Sequence, residues 1–513
     1  MILFMDLVEF WNLNTAMDFS LLHQNYFKMF LPEVFMATSI LILTLFASLI
    51  GTSRRLGYPL FIQSLIKLCI LVLLITFLLV HNTSISFMLT YQNTFIFDLL
   101  SSNAKQILLI ATISCLIVSE ETILRHQINN FEYLILILSA VLGLLFLIIS
   151  YDMLSLYLAI ELQSLCLYVL AASKKDSSFS TEAGLKYFIL GSFSSALLLF
   201  GISVLYGATG TTNFDNFYLL LSGIKLNDFL LTPSIEKGLL VIFAAFFFKI
   251  AAAPFHMWSP DVYEGSPTSS TIFFAVVPKL ALFAVFLRLF QTIFSSFEET
   301  FSFALLFCSI CSVIVGSFVS LRQKKLKRLL AYSSISHVGY LLLAFSANSL
   351  EGIQSLFFYL IIYMLTSLCI WSIVLSLDTK TNIERSKTLI DLASISHSNA
   401  LVGFTALLAF FSLAGVPPLA GFFAKMEIFL AVLGSSLFFA SLIAILSSVV
   451  SSFYYIRLIK TMYFEKKEEN SYVFFVNRSC SLVMGSCLFF LVYFFVNPSF
   501  LLLLTQSMAL CLF

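Results

Sequence analysis

The sequence predicts an all-α polytopic membrane protein with about fourteen transmembrane helices. Of its 513 residues, 60% are hydrophobic and 11% are charged, and the mean hydropathy is +1.00; these values lie far from those of an average soluble domain. Apolar runs of about 20 residues, the length that crosses a bilayer, follow one another with only short polar gaps. A soluble fold is therefore excluded, and the formal net charge of +1 does not indicate a nucleic-acid partner.

Apolar runs bounded by charged or turn residues define the individual helices. They are predicted at residues 33–50, 59–80, 103–119, 131–150, 152–173, 182–206, 238–256, 269–290, 301–320, 327–347, 352–377, 399–433, 436–463 and 479–504. The chain divides into an N-terminal extension (1–30), three N-terminal transmembrane helices (31–125), two five-helix segments (131–294 and 301–463) and a C-terminal region with helix 14 (464–513).

The distribution of positive charge supports this count. Eighteen of the 28 Lys and Arg residues fall on the side of the odd-numbered loops, whereas only Lys28, Lys225 and Lys237 fall on the opposite side. Lys and Arg concentrate in loops on one side of a membrane, and a miscounted helix would mix the two sets. Both termini are therefore predicted to face away from the charge-rich compartment.

Two predicted helices, the seventh and the twelfth, contain proline within apolar sequence. The segments are Ala251-Ala-Ala-Pro254 and Gly415-Val-Pro-Pro-Leu-Ala-Gly421. Proline removes a backbone hydrogen bond and opens the helix, and paired interruptions of this kind are typical of inverted-repeat transporters with an ion site at the breaks. Residues 246–254 also align with residues 409–417. We therefore predict that helices 4–8 and 9–13 form two inverted five-helix repeats.

Seven basic residues remain inside the predicted helices: Lys67, Lys105, Lys186, Lys249, Lys279, Arg288 and Lys425. A charge near the bilayer centre costs about 2.5 to 3.5 kcal/mol, so one that persists usually faces a protein interior or a hydrated path. Lys67, Lys105 and Arg288 are close enough to helix ends for their side chains to reach the interface. Lys249, Lys279 and Lys425 are not, and they are the candidates for function.

Glu161 lies about ten residues from either end of helix 5, and an intramembrane lysine is its natural counter-ion. A single one of these charges could equally be half of a static ion pair that fixes helix packing. Four together favour a proton path, because a Glu–Lys pair flanked by further lysines can pass a proton and switch its neighbours electrostatically. Lysine donates hydrogen bonds and accepts none, so protons suit this set better than a metal cation, and no metal site is predicted.

His337 lies in the middle of helix 10 among hydroxyl side chains, in the segment Tyr332-Ser-Ser-Ile-Ser-His-Val-Gly339. It could be a hydrogen-bonded core histidine. A relay role is the preferred interpretation, because an ordinary imidazole titrates near neutrality.

Four stretches carry a family resemblance: Tyr157–Leu165, Thr181–Phe188, Lys249–Gly265 and Gly415–Lys425. Together they resemble the antiporter-like membrane subunits of respiratory complex I, in particular the subunit 2 or N-subunit type in its mitochondrial form. The resemblance extends from about residue 31 to the last helix, and the third stretch is its most specific part. It implies the same fold of fourteen helices with two inverted five-helix repeats.

The resemblance also assigns residues. By it, the family's intramembrane residues of helices 5, 6, 7, 8, 10 and 12 are matched by Glu161, Lys186, Lys249, Lys279, His337 and Lys425. These would form a central axis that carries protons across the mitochondrial inner membrane, coupled to quinone reduction elsewhere in the complex. No cofactor is expected in this chain, since FMN, iron–sulfur clusters and ubiquinone are implied in other subunits.

The implied partners are other membrane-arm subunits, including a neighbouring antiporter-like subunit, together with membrane lipids. The positive loops would lie in the matrix and both termini would face the intermembrane space. Two alternatives stay open. One is a stand-alone cation/proton antiporter subunit, and the other is a static membrane scaffold whose buried charges only fix helix packing.

Overall fold

The computed structural model describes residues 27–49, 62–83, 87–125, 131–223, 232–294, 297–378, 388–465, 473–474 and 476–512. Most of the N-terminal extension, residues 1–26, lies outside this set. The described chain is almost entirely helical. The exceptions are two antiparallel strand pairs: β1 (Met88–Thr90) with β2 (Phe95–Phe97), and β3 (Leu377–Asp378) with β4 (Val473–Phe474).

The helices of the described residues are, in chain order, α1 (Phe27–Leu49), α2 (Ile62–Asn82), α3 (Leu99–Arg125), α4 (Phe131–Ile149), α5 (Met153–Ala171), α6 (Ser178–Thr209), α7 (Phe214–Gly223), α8 (Thr232–Ile250), α9 (Trp258–Gly265), α10 (Thr268–Arg288), α11 (Glu298–Leu321), α12 (Leu326–Ser346), α13 (Leu350–Ser376), α14 (Ile395–Ser398), α15 (Ala400–Ala414), α16 (Ala420–Gly434), α17 (Phe438–Phe464), α18 (Arg478–Val496) and α19 (Ser499–Leu510). A π-helical turn (Leu289–Ile293) extends α10, and a 3₁₀ turn (Ile390–Ser394) precedes α14.

Twelve of these helices are long and apolar enough to cross a membrane, namely α1 to α6, α10 to α13, α17 and α18. The other two predicted spans are interrupted. Helix 7 consists of α8 and α9, separated by residues 251–257, and helix 12 consists of α15 and α16, separated by residues 415–419. Each break contains a cis peptide bond before proline, at Pro254 and Pro418. The all-α polytopic fold class and both broken helices are confirmed, whereas the inverted relation of the two repeats stays a prediction.

Apart from shifts of helix ends by a few residues, the structure differs from the predicted helices in three places. Helix 7, predicted to end at residue 256, continues after its break as α9 to Gly265. The short helix α7 was not predicted; it lies between the sixth and seventh spans, where Phe217 packs on Phe294 with ring centroids 6.1 Å apart. Predicted helix 14 runs through Pro498, but α18 ends at Val496 and α19 begins at Ser499. Proline has no backbone N–H to continue the helix, which accounts for the break.

The interior of the protein is built around α10, in which every residue from Thr268 to Arg288 is buried. α12 and α13 are almost entirely buried as well. In contrast, α5, α6 and α17 expose many large apolar side chains, as expected of helices that face lipid or another membrane subunit. The polar residues of α10, α12 and α13 therefore lie away from the membrane-facing surface.

Candidate functional site

Lys249 occupies the last turn of α8, immediately before the first break. Its Nζ donates a hydrogen bond of 3.3 Å to the hydroxyl of Tyr168 on α5. Gly191 of α6 leaves room for that hydroxyl, because a Cβ there would lie 2.2 Å from the tyrosine oxygen. On the far side of the break, Trp258 Nε1 donates to the carbonyl of Phe248 at 2.8 Å, which also accepts from the Ala251 N–H at 3.1 Å. The break thus positions the lysine against α5.

Glu161 lies on the same helix as Tyr168 and is partly buried. It is close enough to Lys249 to interact electrostatically. Within the described residues, however, no ion pair joins the two, and Glu161 Oε1 is buried without a hydrogen-bond partner. The expected direct pairing with a lysine is therefore not observed, and the side-chain hydrogen bond of Lys249 goes to the Tyr168 hydroxyl instead.

The structure places Lys186 apart from the other candidate lysines. Its side chain is 43% exposed, and Nζ lies 2.8 Å from Glu182 and 3.1 Å from Asp261. Asp261 of α9 also pairs with Arg328 of α12 at 2.9 Å. Glu264, one turn further along α9, pairs with Arg328 at 3.5 Å and with Lys325. Lys186 thus belongs to an ion-pair cluster that joins α6, α9 and α12 at the charge-rich ends of these helices.

A small cavity of about 30 Å³ lies between Lys249 and Lys279 and is also lined by Gln163, Tyr263 and Ser334. Gln163 Oε1 is buried and has no hydrogen-bond partner in the described part of the chain. A water molecule needs roughly 10 to 15 Å³ of such space and two or more polar partners. The cavity is therefore polar enough and large enough for about two water molecules, which could bridge the two lysines.

Lys279 follows Pro278 inside α10 and is 6% exposed. Its Nζ donates a hydrogen bond of 3.0 Å to the hydroxyl of Tyr363 on α13. It also lies 4.6 Å from the centroid of that ring, within the range of a cation–π contact. No carboxylate of the described residues lies within ion-pair distance of this lysine. A charge on Lys279 is thus stabilised by one neutral side chain.

His337 of α12 is fully enclosed by aromatic side chains. Its Nδ1 lies 2.5 Å from the hydroxyl of Tyr359, and its Nε2 lies 3.0 Å from that of Tyr455. In a neutral imidazole one nitrogen donates and the other accepts, so the ring can pass a proton between the two hydroxyls. The ring also lies 5.2 Å from that of Tyr363. Tyr363 consequently adjoins both Lys279 and His337.

Lys425 lies on α16, just after the second break, and bonds across it to the end of α15. Its Nζ donates to the carbonyls of Leu413 and Ala414 at 2.8 and 2.9 Å. These are the last carbonyls of α15, which ends because Gly415 adopts a left-handed conformation with φ of 83°. The carbonyl end of a helix carries partial negative charge, so it stabilises the ammonium. Lys425 Nζ also lies 5.6 Å from the ring centroid of Tyr340.

Five tyrosines complete the row that joins Lys249, Lys279, His337 and Lys425: Tyr168, Tyr340, Tyr359, Tyr363 and Tyr455. Sequence reasoning missed all of them. The spacing of Tyr359 and Tyr363, four residues apart on one helix, places both on one face and was the available signal. A tyrosine hydroxyl both donates and accepts hydrogen bonds, which lysine cannot do. The row is interrupted at the cavity and between His337 and Tyr340, whose rings lie 6.3 Å apart.

The expectation that Lys105 and Arg288 reach the membrane interface is wrong. Lys105 is buried and pairs with the buried Glu33 of α1. Arg288 is buried, and its guanidinium pairs with Asp98 at 2.7 Å and donates to the carbonyl of Ile148 at 2.8 Å. Each of these two basic residues pairs with an acidic side chain, Glu33 on α1 and Asp98 immediately before α3, and such pairing is the alternative to reaching water. Lys67, in contrast, is exposed.

Nowhere in the described part of the chain do three or more His, Cys, Asp or Glu side chains come together as metal ligands would. The nine cysteines are free thiols. Cys308 and Cys311, the one Cys-x-x-Cys pair in the sequence, lie one turn apart on α11.

Residues 150–451 match the family of transmembrane subunits described as NADH:quinone oxidoreductase/Mrp antiporter. The chain is 44% identical to NADH-ubiquinone oxidoreductase chain 2 of Marchantia polymorpha, with 94% of this chain and 98% of that protein covered. It is 39% identical to NADH-quinone oxidoreductase subunit N of Paramagnetospirillum magneticum, with 94% and 97% covered.

Solved structures show the same likeness. A chain of respiratory complex I from Thermus thermophilus superposes with a TM-score of 0.76 at 28% identity, covering 92% of this chain and 98% of that one. A chain of the Mrp complex from Dietzia sp. superposes with a TM-score of 0.78 at 17% identity, covering 94% and 97%. The second match shows a common fold alone.

Proposed function

The chain belongs to the NADH:quinone oxidoreductase/Mrp antiporter family of membrane subunits and is similar to chain 2 and subunit N proteins of that family, and we propose that it translocates protons as a membrane-arm subunit of respiratory complex I. The observation that carries this proposal is the interior row of Lys249, Lys279, His337 and Lys425, of which the first three bond to tyrosine hydroxyls and Lys425 bonds to the last carbonyls of α15. Ionisable side chains in a membrane interior cost free energy. Their presence in one row therefore favours a function, and a proton path supplies one.

The two broken helices set the ends of the path. Lys249 and Lys425 lie at the breaks, and Lys279 and His337 lie between them on unbroken, buried helices. Protons enter from the charge-rich side, and the water-sized cavity carries them from Lys249 to Lys279. The tyrosine hydroxyls around His337 then pass them toward Lys425. Each lysine donates its hydrogen bonds to neutral oxygen atoms. A positive charge gained on one lysine is therefore not cancelled by a directly paired carboxylate, and it repels the charge on the next lysine.

Glu161 has a switching role in this proposal. Its buried oxygen lacks a partner among the described residues, and it already interacts electrostatically with Lys249. A proton leaving Lys249 removes that attraction, and its return restores it. The carboxylate thus couples the charge of Lys249 to the membrane-facing side of α5, where a neighbouring subunit can sense it.

The redox chemistry lies in other subunits, which hold FMN, iron–sulfur clusters and ubiquinone, and this chain carries no cofactor. The mitochondrial inner membrane is the proposed location, supported by the plant relatives. The positive loops then face the matrix and both termini face the intermembrane space. The partners are other membrane-arm subunits, with a neighbouring antiporter-like subunit among them.

Lys249→Ala tests the proposal, with Lys67→Ala as the matched control at an exposed lysine outside the row. NADH-driven proton pumping and quinone reductase activity are measured in membranes after assembly has been verified. We expect Lys249→Ala to assemble and to lose both activities together, while Lys67→Ala keeps both. If both activities survive in Lys249→Ala, the proposed path is wrong.

The static scaffold and the stand-alone antiporter predict different results. A static scaffold loses assembly when Lys249 is removed, because the Tyr168 hydroxyl then loses its hydrogen-bond donor and α5 and α8 lose a packing contact. A stand-alone cation/proton antiporter exchanges ions in vesicles that contain neither NADH nor quinone. The chain shares its fold with a chain of the Mrp complex, and this likeness favours a test of the antiporter function.

A further inference from the structure

An open groove of about 500 Å³ lies on the outer surface between α4, α5 and α6. Its walls are apolar and include Leu136, Val169, Leu185 and Phe188. Val169 and Leu185 are more than half exposed. An exposed apolar groove on a membrane-spanning protein faces acyl chains or another protein. It is separate from the cavity between the two lysines.

The mouth of the groove is polar and lies at the charge-rich ends of the three helices. Glu132 is in the first turn of α4, Lys175 follows the end of α5, and Thr181 is in the first turn of α6. Ser173 also lines the mouth, and its Oγ is buried with no hydrogen-bond partner among the residues that the structure describes. A buried hydroxyl left unpaired costs free energy, so a ligand that bonds to it gains affinity.

We propose that this groove binds one zwitterionic phospholipid of the phosphatidylethanolamine class. An acyl chain lies along Val169, Leu185 and Phe188. The phosphate is bound by the Lys175 ammonium and the Ser173 hydroxyl, and the primary ammonium of the headgroup donates hydrogen bonds to the Glu132 carboxylate.

The charges at the mouth select this headgroup. One cation and one carboxylate complement a headgroup that carries both signs. A purely anionic lipid would bring its negative charge beside Glu132 without compensation. Phosphatidylcholine matches the signs, but its quaternary ammonium has no N–H to donate to the carboxylate, so it binds more weakly.

The groove also touches the proposed proton path. Tyr168 lines the groove, and its hydroxyl accepts the hydrogen bond of Lys249. A bound acyl chain therefore packs against the side chain that is the hydrogen-bond partner of Lys249. This consequence rests on the proposed function, whereas the binding site itself does not.

The test uses the intact complex in nanodiscs of phosphatidylcholine that contain a phosphatidylethanolamine with a diazirine in its acyl chain. Cross-linked peptides are identified by mass spectrometry. Val169→Trp fills the groove, and Leu158→Trp is the matched control, because Leu158 lies on the same helix, is 66% exposed and does not line the groove. We expect Val169→Trp to lower labelling of α4 to α6 by about tenfold, since it removes several buried methylene contacts, and Leu158→Trp to leave it unchanged.

A second arm tests the headgroup. The same diazirine chain on phosphatidylcholine should label wild type several-fold less than the phosphatidylethanolamine probe, and Glu132→Gln should remove that difference. Equal labelling of wild type and Val169→Trp would overturn the site. Equal labelling by the two lipids would overturn the headgroup assignment. Protein–protein cross-links from this surface in place of lipid labelling would show that a neighbouring subunit fills the groove.

Discussion

Lys279 and Tyr363 are joined by a hydrogen bond of 3.0 Å in the interior of the protein, and the lysine lies over the same ring at 4.6 Å. The tyrosine is therefore both the hydrogen-bond acceptor and the aromatic partner of this ammonium. Its ring also adjoins His337 at 5.2 Å. One side chain thus connects Lys279 and His337, the two titratable groups at the centre of the row.

Tyr363→Phe separates these two contacts, because phenylalanine keeps the ring and loses the hydroxyl. Hydrogen bonds to charged groups contribute about 1.5 to 3 kcal/mol, so we expect proton pumping to fall by about tenfold or more in an assembled complex. The measurement is NADH-driven proton uptake in membrane vesicles. Tyr206→Phe, at an exposed tyrosine on α6, is the control and should pump normally. Unchanged pumping in Tyr363→Phe would remove this tyrosine from the path.

Lys425 has a structural and a functional role that two variants can distinguish. Lys425→Met leaves the carbonyls of Leu413 and Ala414 without their donor, which costs about 1 to 3 kcal/mol for each buried group. Lys425→Gln retains a donor but cannot carry a proton. We expect both variants to lose pumping and only Lys425→Met to inactivate faster on heating. Thermal inactivation of quinone reductase activity measures the first effect. Normal pumping in Lys425→Gln would assign the lysine to helix packing alone.

His337→Gln tests whether the histidine passes protons or only fills a polar site. Glutamine can hydrogen bond to the hydroxyls of Tyr359 and Tyr455, but it does not titrate. We expect a normal level of assembled complex on native gels and a loss of pumping of about 100-fold, the lower range for a positioned proton-transfer group. Full pumping would show that hydrogen bonding is all that the site requires.

The helices and the lysines could be predicted because lipid imposes strong rules on sequence. Long apolar runs have one structure available to them in a bilayer, and Lys249 or Lys425 stands out within such a run. Pro254 and Pro417 likewise indicated the breaks. The tyrosines could not be found in this way, since a tyrosine is common in an apolar run. Its role depends on a partner on another helix, as with Tyr363, which is 84 residues from Lys279.

The same limit explains the error at Lys105 and Arg288. Their distance from the helix ends was compatible with exposure, and only the packing of α1 against α3 and of α10 against α3 brings Glu33 and Asp98 to them. Lys186 illustrates the opposite case. It lies within a predicted span, yet its side chain is 43% exposed and pairs with Glu182 and Asp261.

Loss of one partner from the ion pair of Arg288 and Asp98 should strongly destabilise this subunit. Both side chains are buried, and removal of one partner of a buried pair costs about 3 to 5 kcal/mol because the other charge is left unpaired. We expect Asp98→Asn to lower the amount of assembled complex strongly. The double variant Asp98→Leu with Arg288→Met should recover part of it, since neither charge then remains. Arg328→Ala breaks a partly exposed pair with Asp261, where the expected cost is about 1 kcal/mol or less. Native gels of solubilised membranes measure all three, and an equal loss of assembly in Asp98→Asn and Arg328→Ala would contradict the buried-pair argument.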